Sequence, residues 1–166
     1  MKYIKFILVL IIAFGINSCS VYNFTGAKIN AKTFQVNYFQ NNAEIIEPGI
    51  ERTFTQKLQN LIQDQTNLSL TNSGGELVYE GEITNYRISP MTANADQGAS
   101  ESRLTITVKV RFTNKNKEED DFEKEFSFFK DYDRNVQLVG AKLADALDEI
   151  FERITQDIFN ASLAKW

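Results

Sequence analysis

Arg103-Leu104-Thr105-Ile106-Thr107-Val108-Lys109-Val110-Arg111-Phe112 alternates between polar and apolar residues without a break. A period of two puts Leu104, Ile106, Val108, Val110 and Phe112 on one side of an extended chain. Arg103, Thr105, Thr107, Lys109 and Arg111 fall on the other. The stretch predicts a strand over 102–113 with one buried and one wet face, hence a sheet covered on one side only.

The neighbouring segments repeat the pattern. Asn114 to Asp121 is a charged turn, and Phe122 to Phe129 then places Phe122, Phe126 and Phe128 inward and Glu123 and Glu125 outward. Lys124 falls on the inward row with no partner that the sequence suggests. Upstream, 76–89 reads as a long strand with Leu77, Tyr79 and Ile83 on one face and Glu80 and Glu82 opposite. Gly81 lies on the inner row, where a missing side chain leaves room for a bulky neighbour. The apolar parity then moves to Tyr86 and Ile88, which predicts a bulge near Asn85. Pro90 ends this strand, and 91–100 is a small, polar loop. Earlier still, 33–39 alternates with Phe34, Val36 and Tyr38 on one side.

Two stretches change period. From Ile50, the residues Phe54, Leu58, Leu61 and Ile62 recur at helical spacing up to about Asn67, with Pro48 suited to the start. A short extension, Leu68 to Thr71, and the turn Asn72-Ser73-Gly74-Gly75 follow. A second helix is expected over 136–164, its stripe formed by Leu143, Ala146, Leu147, Ile150, Ile154 and Ile158 and widened by Phe151 and Phe159. The order β-α-β-β-β-α predicts an α+β two-layer sandwich: two helices on one face of a four- to five-stranded mixed sheet. The first strand and the strand after the first helix should be parallel neighbours, and the rest an antiparallel meander. On the uncovered face, Arg111 should lie across from Glu123 and Lys109 across from Glu125, with Lys109 also near Glu80. Such pairs fix register more than they stabilise.

The N-terminus has a separate logic. Lys2 and Lys5 precede an apolar run from Phe6 to Phe14, and Ile16-Asn17-Ser18-Cys19 follows. That is the layout of a secretory leader, too short to span a bilayer, which takes ~20 residues. Cys19 is the single cysteine, so no intrachain disulfide forms, and an aliphatic-variable-small-Cys sequence resembles a bacterial lipobox. Residues 1–18 then form a cleaved signal peptide, 19–31 a lipidated linker and 32–166 one α+β domain. Ser20 is not the aspartate that commonly retains lipoproteins in the inner membrane. Val21 to Phe24 lacks the acidic run used for surface export. Both point to an outer-membrane anchor facing the periplasm.

Composition narrows the function. The chain carries a net charge of −4 and no histidine. An acidic chain does not suit nucleic acid. Without histidine, and with its cysteine given to lipid, it lacks the usual general base, thiol nucleophile and zinc ligands. No cofactor or metal is expected, and no enzyme. Asp131, Asp133 and Glu82 are the only carboxylates worth weighing as acid–base groups, and nothing in the sequence brings them together.

Several segments together resemble the LPS-assembly lipoproteins of the LptE type. They are the lipobox at Cys19 with Ser20 to Ala27, 46–54 (Ile-Glu-Pro-Gly-Ile-Glu-Arg-Thr-Phe), 77–86, 103–112 and 146–160. The resemblance implies two helices on a sheet and a plug in the lumen of an LptD-type β-barrel. It further implies that the pair delivers lipopolysaccharide to the outer leaflet, the plug assisting barrel assembly and contacting lipopolysaccharide itself. It fixes no lipid-contacting residue. By chemistry alone, Arg87, Arg103, Lys109 and Arg111 are the candidates for partner or lipopolysaccharide contact. The alternative from another class is a regulatory periplasmic lipoprotein, such as an activator of a peptidoglycan synthase.

Overall fold

The computed structural model describes residues 29–91 and 101–164. The leader, Cys19 and most of the 91–100 loop lie outside the described residues. Six strands form one sheet: β1 (Thr33–Val36), β2 (Gln40–Asn41), β3 (Ser69–Leu70), β4 (Leu77–Pro90), β5 (Glu101–Asn114) and β6 (Phe122–Asp133). The order is β3-β1-β4-β5-β6, with β2 also paired to β4. β1 is parallel to both β3 and β4, while β4-β5-β6 is an antiparallel meander. Helices α1 (Ile50–Gln65) and α2 (Ala141–Ser162) complete the expected two-layer fold.

The alternation of β5 is realised in full. Leu104, Ile106, Val108, Val110 and Phe112 are all inaccessible to solvent, as are Phe34, Phe54, Leu58, Ile150 and Phe151 on the elements facing them. Phe54 meets Phe39 and Phe151 edge-on, with centroids 4.9 and 5.3 Å away, the geometry ring quadrupoles prefer. Gln65 Nε2 donates to Gln156 Oε1 at 3.0 Å, and Lys57 pairs with Asp148, so the helices run side by side in one direction. Both start at the end where β4 finishes, here the upper end. The turn between β5 and β6 marks the lower end. One buried polar link ties sheet to helix: Tyr79 Oη lies 2.9 Å from Ser162 Oγ. Ser162 itself donates to the Ile158 carbonyl, so the phenol is the donor. Burial drives the Tyr79 pKa upward.

Four expectations need correction. Tyr38 is exposed and Phe39 is buried in its place. Val36 faces Tyr79 and Gln40 faces Glu82, so three residues of the β1–β2 strand oppose two of β4. That extra residue is a bulge, and it reverses every side chain beyond it. Second, Gly49 caps α1 with φ of 88°, a left-handed conformation that suits glycine, so Pro48 precedes the helix rather than opening it. Third, α2 begins at Ala141, not Val136, because Gly140 at φ 56° and ψ −129° breaks the helical path. Fourth, Lys109 faces Glu82, and Arg111 takes the place opposite Glu80. The bulge near Asn85 is found: the register of β4 on β5 shifts between Ile83 and Asn85.

Candidate functional site

The candidate site is the sheet face the helices leave open. Its lower half is a lattice of charges set by register. Arg111 lies between Glu80 and Glu123, and Lys109 between Glu82 and Glu125. The Arg111 guanidinium reaches Glu80 Oε1 at 3.1 Å and Glu123 Oε2 at 2.9 Å, while Lys109 Nζ takes Glu123 Oε1 at 2.5 Å. Hydrogen bonds from Lys109 and then Arg111 hold the Glu123 carboxyl below its ordinary pKa, and Glu123 in turn raises both cations.

The first bulge opens this lattice at one side. Asn37 donates from its backbone to the Tyr79 carbonyl at 2.8 Å and from its side chain to Glu80 Oε2 at 3.2 Å. Tyr38, turned outward, donates to Glu51 Oε1 at 3.2 Å. A shallow pocket of about 340 Å³ results, lined by Asn37, Tyr38, Glu80, Glu82, Lys109 and Arg111 among others. Gly81 lies at its base for a steric reason. A methyl there would sit 2.0 Å from the Lys109 carbonyl oxygen and 2.9 Å from Cε1 of Phe39.

The upper half is built differently. Arg87 faces Thr105, which faces Phe129, and Thr107 shares a 3.0 Å hydroxyl contact with Ser127. Arg103 is fully committed. Its Nε and Nη2 donate to both oxygens of Asp131 at 2.6 and 2.8 Å, and its guanidinium lies 3.5 Å above the Phe129 ring. This bidentate fork lowers the Asp131 pKa and raises that of Arg103. Arg87 is exposed and, among the described residues, makes no ion pair.

The four basic candidates therefore share one face but not one condition. Arg103, Lys109 and Arg111 are each bound to carboxylates of neighbouring strands. Arg87 is exposed and has no such carboxylate among the described residues. The three carboxylates weighed for chemistry are not assembled, since Asp131 and Asp133 end β6 while Glu82 belongs to the lower lattice. Sequence reasoning missed Tyr38 and Asn37 as pocket residues. The signal for them was the apolar spacing Phe34, Val36, Phe39, whose last step is three rather than two.

A lipopolysaccharide-assembly family model, LptE, matches residues 31–162. No match was found among curated protein sequences. Among solved structures, the hypothetical protein CT253 from Chlamydia trachomatis is similar at a TM-score of 0.53 and 10% identity, over 81% of this chain and 99% of that one. Protein XCC0632 from Xanthomonas campestris is similar at 0.53 and 9% identity, over 84% and 90% of the two chains. The rare lipoprotein B from Shewanella oneidensis gives 0.46 at 14% identity, over 76% and 89%. The first two likenesses are of fold alone. The family match runs from β1 to the last turn of α2 and takes in every element of the open face. The chain belongs to the LptE lipopolysaccharide-assembly family.

Proposed function

We propose that this protein is a non-enzymatic outer-membrane lipoprotein, acylated at Cys19 and facing the periplasm. In this reading it seats its open sheet face against the lumen of an LptD-type β-barrel and assists both barrel assembly and lipopolysaccharide delivery. The observation that carries the reading is the family match over 31–162. The open face supports it, because charges already paired in register cost less to lay against a polar wall than unpaired charges would. Arg103, Lys109 and Arg111 then hold the face rigid, and Arg87 is the residue left for an anionic group of the barrel or of lipopolysaccharide.

The test is in-cell photocrosslinking. A probe at Thr107, in the middle of the open face, should shift the protein to a band of barrel size, identified as an LptD-type chain by mass spectrometry. A probe at Glu152 on the outer side of α2 reports whether contact is confined to the sheet. A partner of soluble-synthase size at Thr107, or no adduct at all, would sink the reading. Cys19→Ser should move the protein out of the outer-membrane fraction without changing its thermal unfolding.

A further inference from the structure

Apart from the two-residue strands β2 and β3, the described sheet has two longer open edges, and they are protected to very different degrees. β6 is one of them along its whole length. Its apolar row, opposite Val110 and Leu104, carries Lys124 and Lys130. Lysine on the inward row of an edge strand is a recognised guard against pairing with another chain. Lys130 is further tied to Glu149 of α2, and Lys124 lies 5.2 Å from the Phe126 ring.

The other open edge is the upper half of β4. Pairing with β2 ends at Asn41 opposite Ile83, closed by the Asn42 amide on the Ile83 carbonyl at 3.0 Å. β4 nevertheless continues to Pro90, paired with β5 on its far side from Asn85 onward, past the bulge at Thr84. Among the described residues, no backbone hydrogen bond joins 43–49 to 84–90. The row that carries lysines on β6 carries Ile88 here, 46% exposed. The segment leaving this edge toward α1 adds Ile45 and Ile46, 55% and 64% exposed. It stays near the strand, since Asn41 Nδ2 donates to the Glu47 carbonyl at 3.2 Å and the charge of Glu47 helps to raise the Tyr86 pKa, after burial. On the opposite face of the same edge stands Arg87, with no ion pair among the described residues.

We propose that residues 84–90 of β4 accept an added strand: an extended segment of a partner protein in which apolar and acidic residues alternate. Main-chain hydrogen bonds would supply the pairing. Alternate side chains would fall on Ile45, Ile46 and Ile88 on one side and on Arg87 on the other. Strand pairing stands on the sheet edge, whereas the acidic preference rests on Arg87, the residue the proposed function also leaves for an anionic group.

The experiment uses the full chain in detergent and a synthetic peptide of alternating valine and glutamate. Amide hydrogen exchange should slow at the edge-facing amides within 84–90 when peptide is added, with β6 unchanged. The same peptide N-methylated on alternate residues should give no protection. A valine/lysine peptide should bind about two- to fivefold more weakly, the range of an exposed ion pair, and Arg87→Glu should reverse that order. Ile88→Lys, which installs the guard that β6 carries, should abolish protection while the thermal midpoint falls by a few degrees at most. Several outcomes overturn the proposal: equal binding of the N-methylated peptide, protection at β6 instead, or none at any concentration reached. Slow exchange at the edge-facing amides of 84–90 before peptide is added would overturn it too, showing this chain covering its own edge. Protection that rises with protein concentration alone would make the occupant a second copy.

Discussion

The two halves of the open sheet face share their strands but differ in how charge is handled. In the lower half, each cation stands between two carboxylates of adjacent strands, so Lys109 and Arg111 are consumed within the sheet. In the upper half, the strand opposite Arg87 offers Thr105, and the next offers Phe129, so neither brings a carboxylate to that guanidinium, which makes no ion pair among the described residues. Register, not composition, decides which basic residue is available to a partner. Counting lysines and arginines on a wet face would have treated all four candidates alike.

The comparison breaks most severely at Gly81. Alanine there would drive a methyl into the Lys109 carbonyl at 2.0 Å, and backbone cannot swing aside as a side chain can. We expect a loss of about 3 kcal/mol or more, seen as a lower urea midpoint. In the upper half, Ile88→Ala should cost about 1 kcal/mol or less, because the residue is already half exposed. Similar costs at both positions would mean that the lower half is no more tightly built than the upper.

A second test inverts a charge in the lattice. Arg111→Glu places a third carboxylate between Glu80 and Glu123, so thermal unfolding should shift downward, though by less than for Gly81→Ala. Adding Glu123→Lys should restore part of the loss, since it remakes an opposite-charge pair across the same register position. If the double variant is no better than the single, the lattice contributes nothing to stability. At Arg103 the matching change is Arg103→Lys, which keeps the charge but loses the fork on Asp131 and the stack on Phe129.

Acid should reach both halves by the same route. Glu123 and Asp131 have folded pKa values below their ordinary 4.5 and 3.8. Their stabilising effect is therefore fully present above those values and is lost as pH falls through the lowered ones. Carboxyl carbon NMR titrations should show both midpoints displaced downward, and Arg111→Gln should bring Glu123 part of the way back. A Glu123 midpoint at its ordinary value in the parent chain would contradict the ion pairs.

Much of this arrangement was legible beforehand, and the exceptions share a cause. The alternation of β5, the helix stripes and the parity switch near Asn85 are repeating signals, each supported by several residues. The bulge at 37–39 is a single added residue with no composition of its own, so strict alternation points Tyr38 inward and passes over Phe39. Its counterpart, Gly81, was visible as a gap for a bulky neighbour, and Phe39 fills it. That Lys109 faces Glu82 and not Glu80 is hidden from the sequence for a related reason. The 91–100 loop is too long to fix the register of β4 on β5, so the offset depended on packing that no local pattern encodes.

The smallest expected effect on stability carries the most information about the face. Arg87→Ala removes an exposed side chain without an ion pair among the described residues, so its unfolding free energy should change by no more than about 0.5 kcal/mol. Lys109→Ala, by contrast, strips Glu123 of a hydrogen bond and should lower the thermal midpoint measurably. If the two halves divide their labour as register implies, binding should show the reverse order. Purified lipopolysaccharide titrated against the detergent-solubilised chain should lose affinity with Arg87→Ala more than with Lys109→Ala, and high salt should narrow the gap because an exposed cation is screened. Equal losses at both positions would mean that the lattice opens on binding, and that its cations are held in reserve instead of being spent within the sheet.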